Sequence, residues 1–126
     1  MELEKDYILR MIKDMVKSIG HIILGKSEIE YELPKEDAFS NVDYLYIKLL
    51  ELANAGQINE AEDMLFNEIN TSNMKQFEMA MSFYLYLNDF ADNFLEENNY
   101  SREEISEGIK SICKEFGVSS MVEFLF

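Results

Sequence analysis

Residues 43–69 read DYLYIKLLELANAG followed by QINEAEDMLFNEI, two helical patterns separated only by a short turn at Gly56. In the first, Tyr44, Leu45, Ile47, Leu49, Leu52 and Ala53 recur at helical spacing and are expected to face inward, with Tyr46 and Leu50 on the flank. Asn54, Ala55 and Gly56 form a helix ending of the usual kind. Asn59, with Glu62 three residues later, has the spacing of a capping box that starts a second helix. Ala61, Met64, Leu65 and Ile69 carry that helix's apolar face. A turn of about two to four residues leaves two such helices no choice but to pack antiparallel. The rest of the chain must then cover the apolar faces that this pair leaves open.

The flanking sequence predicts more helix. The chain has 126 residues, enough for one domain with one core, and only five Gly and one Pro. The first helix is expected over residues 6–24, where Ile8, Ile12, Met15, Ile19 and Ile22 make one stripe widened by Leu9, Val16 and Ile23. Arg10, Lys13, Asp14, Lys17 and His21 fall opposite, and Gly25 is a natural stop. That amphipathic helix can serve as a core element, a short self-association seam or a membrane-surface helix.

Residues 26–39 read as an extended polar linker that holds the single proline, with Ile29, Tyr31 and Leu33 tucked against helices. Paired between two chains, its alternating segment would form a small intermolecular sheet. Ser40 or Asn41 is expected to cap the hairpin's first helix. A fourth helix is expected from Met74 to about Glu97, apolar nearly all round, hence either central or part of an oligomer interface. Ser101 and Glu104 form another capping box, ahead of a fifth helix with Ile105, Ile109, Ile112 and Phe116 inward. Gly108 inside that helix is either a close-packing point or a penalty of about 1 kcal/mol. Gly117 ends it, and Ser119 or Ser120 opens a short terminal helix closing on Phe124, Leu125 and Phe126. The expected fold is therefore all-α. It is a single domain over residues 1–126, with an N-terminal amphipathic helix (1–25), a linker (26–39) and helical hairpins (40–126). It holds five main helices and a short sixth.

Net charge narrows the partners. At −14 the chain repels phosphate backbones, so nucleic acid is not an expected partner. The excess is uneven: residues 1–26 hold five basic and four acidic groups, and the remaining hundred hold six basic and 21 acidic. One cysteine forms no internal disulfide, charges interrupt any signal-like segment, and no stretch approaches the roughly 20 apolar residues of a membrane span. A cytoplasmic protein is expected.

Two resemblances add to this. Leu45, Leu49, Leu52, Gly56, the run Asn59, Glu60, Ala61, and Leu65 resemble one tetratricopeptide-type unit, with Gly56 at the inter-helix turn and Ala61 at a small-residue position. The pattern departs at Leu49 and Glu68, where that family has small residues, and at Asn73, near its closing proline. No second copy is visible, and such stacks need about three units, so the resemblance implies hairpin geometry without a peptide groove. The whole chain, opening with Asp6, Tyr7, Ile8, Leu9, Arg10, Met11 and Ile12, also resembles a family of small uncharacterised helical proteins from Firmicutes-type bacteria. That resemblance implies a tetratricopeptide-like helical fold and transfers no site.

Catalytic chemistry finds few groups to use. His21, the single histidine, lies on a polar face, and Cys113 flanks an apolar stripe with no neighbour to activate it. One Cys and one His fall short of a zinc site, and Asp89, Asp92 and Glu96 form a row expected to be a solvated acidic face. No phosphate-binding glycine loop is present. No cofactor, metal site or enzyme activity is expected. The expected function is a protein-interaction or scaffold module with an unidentified protein partner, or a homodimer. Its candidate surface is Ile8, Ile12, Phe83, Tyr86, Phe90, Phe94, Phe124, Leu125 and Phe126. The alternative is a small-molecule binder or small enzyme with an aromatic pocket around Phe77, Tyr84 and Tyr86.

Overall fold

The computed structural model describes residues 2–126, with side chains from residue 6 onward. Met1, and the side chains of Glu2, Glu4 and Lys5 counted in the charge balance, lie outside the described residues. The described residues are all-helical and contain no strand. Seven α-helices follow in order: α1 (Glu2–Ile19), α2 (Asn41–Asn54), α3 (Ile58–Glu68), α4 (Met74–Asn88), α5 (Asp92–Glu97), α6 (Arg102–Glu115) and α7 (Ser119–Val122). A π-helical turn (Gly20–Leu24) extends α1, and short 3-10 turns occupy Glu36–Ala38 and Glu123–Leu125. None of the described helices is long and apolar enough to cross a membrane.

The centre is α4. Every residue from 77 to 84 is buried, because α1, α2 and α6 each pack on it. The fourth side is covered by the linker. Lys26 donates to both carboxylate oxygens of Glu78 (2.9 and 2.7 Å), and the Tyr31 N–H donates to Ser82 Oγ (2.8 Å). These bonds explain how two polar residues, Glu78 and Ser82, are buried on this helix. Ile29 and Tyr31 are half-buried as expected, but Leu33 is exposed, being beyond the last anchored linker residue.

Four other expectations need correction. Tyr44 is 58% exposed, while Tyr46, expected on the flank, is buried with Val42, Asp43, Leu49 and Ala53. The cause is the linker: the Tyr31 ring packs at a tilt on Tyr46 (5.0 Å between ring centroids) and its hydroxyl donates to Asp43, so the face of α2 bearing those residues turns inward. Asn59 and Glu62 do not cap α3, which starts a residue earlier at fully buried Ile58. Asn59 instead donates to the Asn99 carbonyl (3.2 Å), and Gly56, at φ +84°, lies against the Asn98 side chain, where a Cβ would come within 2.4 Å. The α2–α3 turn thus seats on the α5–α6 turn, and Gly56 is needed for both its backbone conformation and that approach.

The expected fourth helix does not run to Glu97. It stops at Asn88 because Arg102, the first residue of α6, takes over its end. Arg102 Nη2 donates to the carbonyls of Asn88 (3.1 Å) and Phe90 (2.8 Å), and Nη1 pairs with Asp92. A guanidinium on these acceptors replaces the backbone donors that a continuing helix would supply. Finally, Ile22 leaves the core stripe and is exposed, because the wider π-helical turn rotates it out of register.

Other local signals hold. Ser40 caps α2 with Asp43, Ser101 caps α6 with Glu104, and Gly25 ends the first helical segment in the left-handed region. Gly108 is a close-packing point, since a Cβ there would meet Tyr84 at 2.4 Å. Beyond α6, α7 packs on α6 and on the π-helical turn, which brings the C-terminal tail beside the end of α1.

Candidate functional site

Docking the tail against the end of α1 leaves a cleft of about 360 Å³ lined by Lys17, Ser18, His21, Ile22, Ser27, Phe124 and Leu125. Its walls are apolar: Ile22 from the π-helical turn, Phe124 and Leu125 from the tail. Phe124 is 73% exposed, the most exposed large apolar side chain described. Its polar groups are the two serine hydroxyls, the Lys17 side chain and the single histidine. Among the described residues, no carboxylate lines it. Three other clefts differ: one holds Asp92, Glu96 and Glu103, one Glu28, Glu30 and Asp89, and one Glu62, Asp63, Glu104 and Glu107. Along α1, Tyr7 and Met11 are exposed on the sector that leads by helical spacing to Ser18 and Ile22, with Arg10, Lys17 and His21 on the next sector.

The nine candidate surface residues separate into groups. Ile12 and Phe83 are fully buried, Ile12 where α1 meets the core and Phe83 on the all-buried stretch of α4, so neither belongs to a surface. Ile8 is half-buried at the rim of the small cleft beside Asp92 and Arg102. Tyr86, Phe90 and Phe94 form a half-buried aromatic row across the α4–α5 break, with ring centroids 5.4 and 4.9 Å apart. Phe124 and Leu125 come together in the cleft, and Phe126 is exposed just beyond them. Periodicity alone does not single out Ser18 or Ser27, and it places Lys17 and His21 on a polar face without assigning them to a site. The available signal was Tyr7 and Met11, two large apolar side chains off the core stripe of α1.

Inside the molecule, several polar side chains are engaged with each other. Glu62 Oε2 accepts from the hydroxyls of Tyr84 (2.6 Å) and Tyr100 (2.9 Å). Burial raises the Glu62 carboxyl, and the two phenol donors offset part of that. Burial, and the facing carboxylate, push both phenols far above the ordinary tyrosine range, so they stay protonated donors. Asp43 is the opposite case: burial works to raise it, but donors from the Ser40 N–H, the Tyr31 hydroxyl and the Ser40 hydroxyl outweigh that and hold it low. Tyr86 of the expected aromatic pocket donates to Asn54 (2.8 Å), while Phe77 and Tyr84 are fully buried. The Cys113 thiol is buried and pushed up to about 11 by that burial, which disfavours the reactive thiolate.

The Asp89, Asp92 and Glu96 row does not share one helix face, because the helix breaks between its members. Asp89 lies 3.7 Å from Lys13, and Asp92 pairs with Arg102. Among the described residues no three His, Cys, Asp or Glu side chains gather as metal ligands would.

A family model described as a family of unknown function (DUF6483) matches residues 2–117, and the chain belongs to that family. The expectation of an uncharacterised helical family holds at that level. The match includes the α1 side of the cleft and ends at Gly117, before the tail side. No curated protein and no solved structure matches the chain significantly.

Proposed function

We propose that the chain is a non-enzymatic protein-interaction module whose partner docks in the cleft between the end of α1 and the C-terminal tail. One observation carries the reading: Phe124 is held 73% exposed beside exposed Ile22, in a concave and mostly apolar setting. Covering a side chain of that size gains roughly 1.5–3 kcal/mol, and a partner supplies the cover. Single apolar residues scattered over a surface carry no such meaning, but these two share one cleft with Leu125.

Within this reading α2 and α3, joined by residues 55–57, are an antiparallel hairpin of tetratricopeptide-like geometry that serves packing. The −14 charge favours a partner other than nucleic acid. It also opposes a homodimer, so a second copy of the chain ranks behind a different protein. A ligand pocket around Phe77, Tyr84 and Tyr86 has less support, because two of these rings are fully packed.

Affinity capture with the whole chain and with Phe124→Asp tests the proposal. The expected result is a specific partner retained by the native chain and lost with Phe124→Asp, at unchanged melting temperature. Equal capture by both proteins would overturn the choice of cleft.

A further inference from the structure

We infer that the segment seated in this cleft is acidic and amphipathic: a short helix of a partner protein presenting large apolar side chains next to carboxylates. The inference rests on the docking reading above and names the chemistry of the partner.

Charge carries it. The chain has 25 acidic and 11 basic residues, yet among the described residues the cleft lining contains Lys17 and His21 and no carboxylate, whereas three other clefts hold at least three each, one of them sharing Lys17. Apolar walls of Ile22, Phe124 and Leu125 beside these groups match a helix whose Leu or Phe side chains alternate with Glu at helical spacing. Ser18 and Ser27 add hydroxyl donors to an incoming carboxylate. The exposed face of α1 extends the same pattern, with Tyr7 and Met11 continuing the apolar sector and Arg10 the basic one. Asp14 lies between the sectors and Glu123 precedes Phe124, and these set the limit on how many carboxylates the occupant can place. The acidic excess of the rest of the body acts more weakly at the cleft, since screening attenuates charges beyond about 8 Å at physiological salt.

Other occupants fit less well. A small amphiphile buries most of its surface in its site, but Phe124 stands largely open. An anionic bilayer would meet the whole −14 body along with α1, and the basic sector is interrupted by Asp6 and Asp14.

The test uses the full chain, isotope-labelled, and three synthetic peptides of about 14 residues. One has Leu and Phe on one helical face and Glu elsewhere, one replaces every Glu by Lys, and one scrambles the first. The expected result is saturable binding of the Glu peptide, with amide shifts confined to the outer face of α1, the π-helical turn and the tail. Affinity should be about tenfold or more above that of the Lys peptide and fall by about as much with Lys17→Glu or Phe124→Glu, while circular dichroism stays unchanged. Equal binding of the Lys peptide at the cleft would overturn the acidic partner and leave the docking reading standing. If neither peptide shifts the cleft amides, both fall. Phe124-dependent binding to phosphatidylglycerol vesicles, or a concentration-dependent doubling of mass abolished by Phe124→Glu, would also overturn the inference, in favour of a membrane or a second copy.

Discussion

Replacing Gly108 by alanine sets two physical effects against each other. In an open helix the change gains about 1 kcal/mol from backbone entropy and helix propensity. In this structure the new Cβ would sit 2.4 Å from Cζ and Oη of Tyr84 and 2.5 Å from its Cε1. Ordinary carbon contacts lie near 3.5–4.0 Å, so the ring must retreat by about an ångström. It has little room to do so. Tyr84 is fully buried, its ring packs on Phe83 at 5.4 Å, and its hydroxyl is held by Glu62 at 2.6 Å. Overpacking costs about 1–3 kcal/mol, and disturbing a bond to a charged acceptor about 1–2 more. After the helix gain, Gly108→Ala is expected to destabilise by about 1–4 kcal/mol and lower Tm by about 4 °C or more. Urea titration and thermal melts followed by circular dichroism measure this. The same substitution in a Tyr84→Leu background removes the obstacle, and there Gly108→Ala is expected to stabilise. A higher Tm for the single variant, or an equal cost in both backgrounds, would refute the packing argument.

Two further outcomes follow from the buried polar groups. Arg102→Lys keeps a charge but cannot reach the Asn88 carbonyl, the Phe90 carbonyl and Asp92 together, so urea titration should show a loss of about 2–4 kcal/mol. Glu62→Gln tests the raised carboxyl: a group whose pKa is higher folded than unfolded adds stability below the unfolded value and loses it as pH rises through the folded one. Glutamine has no proton to lose and can still accept from both phenols, so Glu62→Gln should gain on the native chain as pH goes from about 4 to about 7. A constant difference across that range would contradict the burial of Glu62.

What could be read in advance depended on how local the cause was. The Ser101 and Glu104 box and the stop at Gly25 are set by a few neighbouring residues, and each was legible, whereas Gly108 left two readings open because the ring it packs on, Tyr84, lies on another helix. Glu62 had the right spacing for a cap, but two tyrosines, 22 and 38 residues away in sequence, offered it better donors. The break after Asn88 comes from Arg102, 14 residues on, so no window over the fourth helix could contain its cause. The turn of α2 toward Asp43 and Tyr46 likewise follows from Tyr31 in the linker. The cleft was legible in part: the tail was singled out for its apolar side chains, but it meets Lys17 and His21 because α7 packs on the π-helical turn.

The central claim is that partners meet this protein at the tail cleft, and position-resolved photo-crosslinking tests it most directly. A benzophenone side chain placed at Phe124 is compared with one at Tyr44, which is also exposed but lies on α2 away from the cleft lining. In native lysate the account predicts a discrete crosslinked protein from position 124 and none from position 44, with the product lost when Lys17→Glu is added. Equal products from both positions, or a product from position 44 alone, would contradict it.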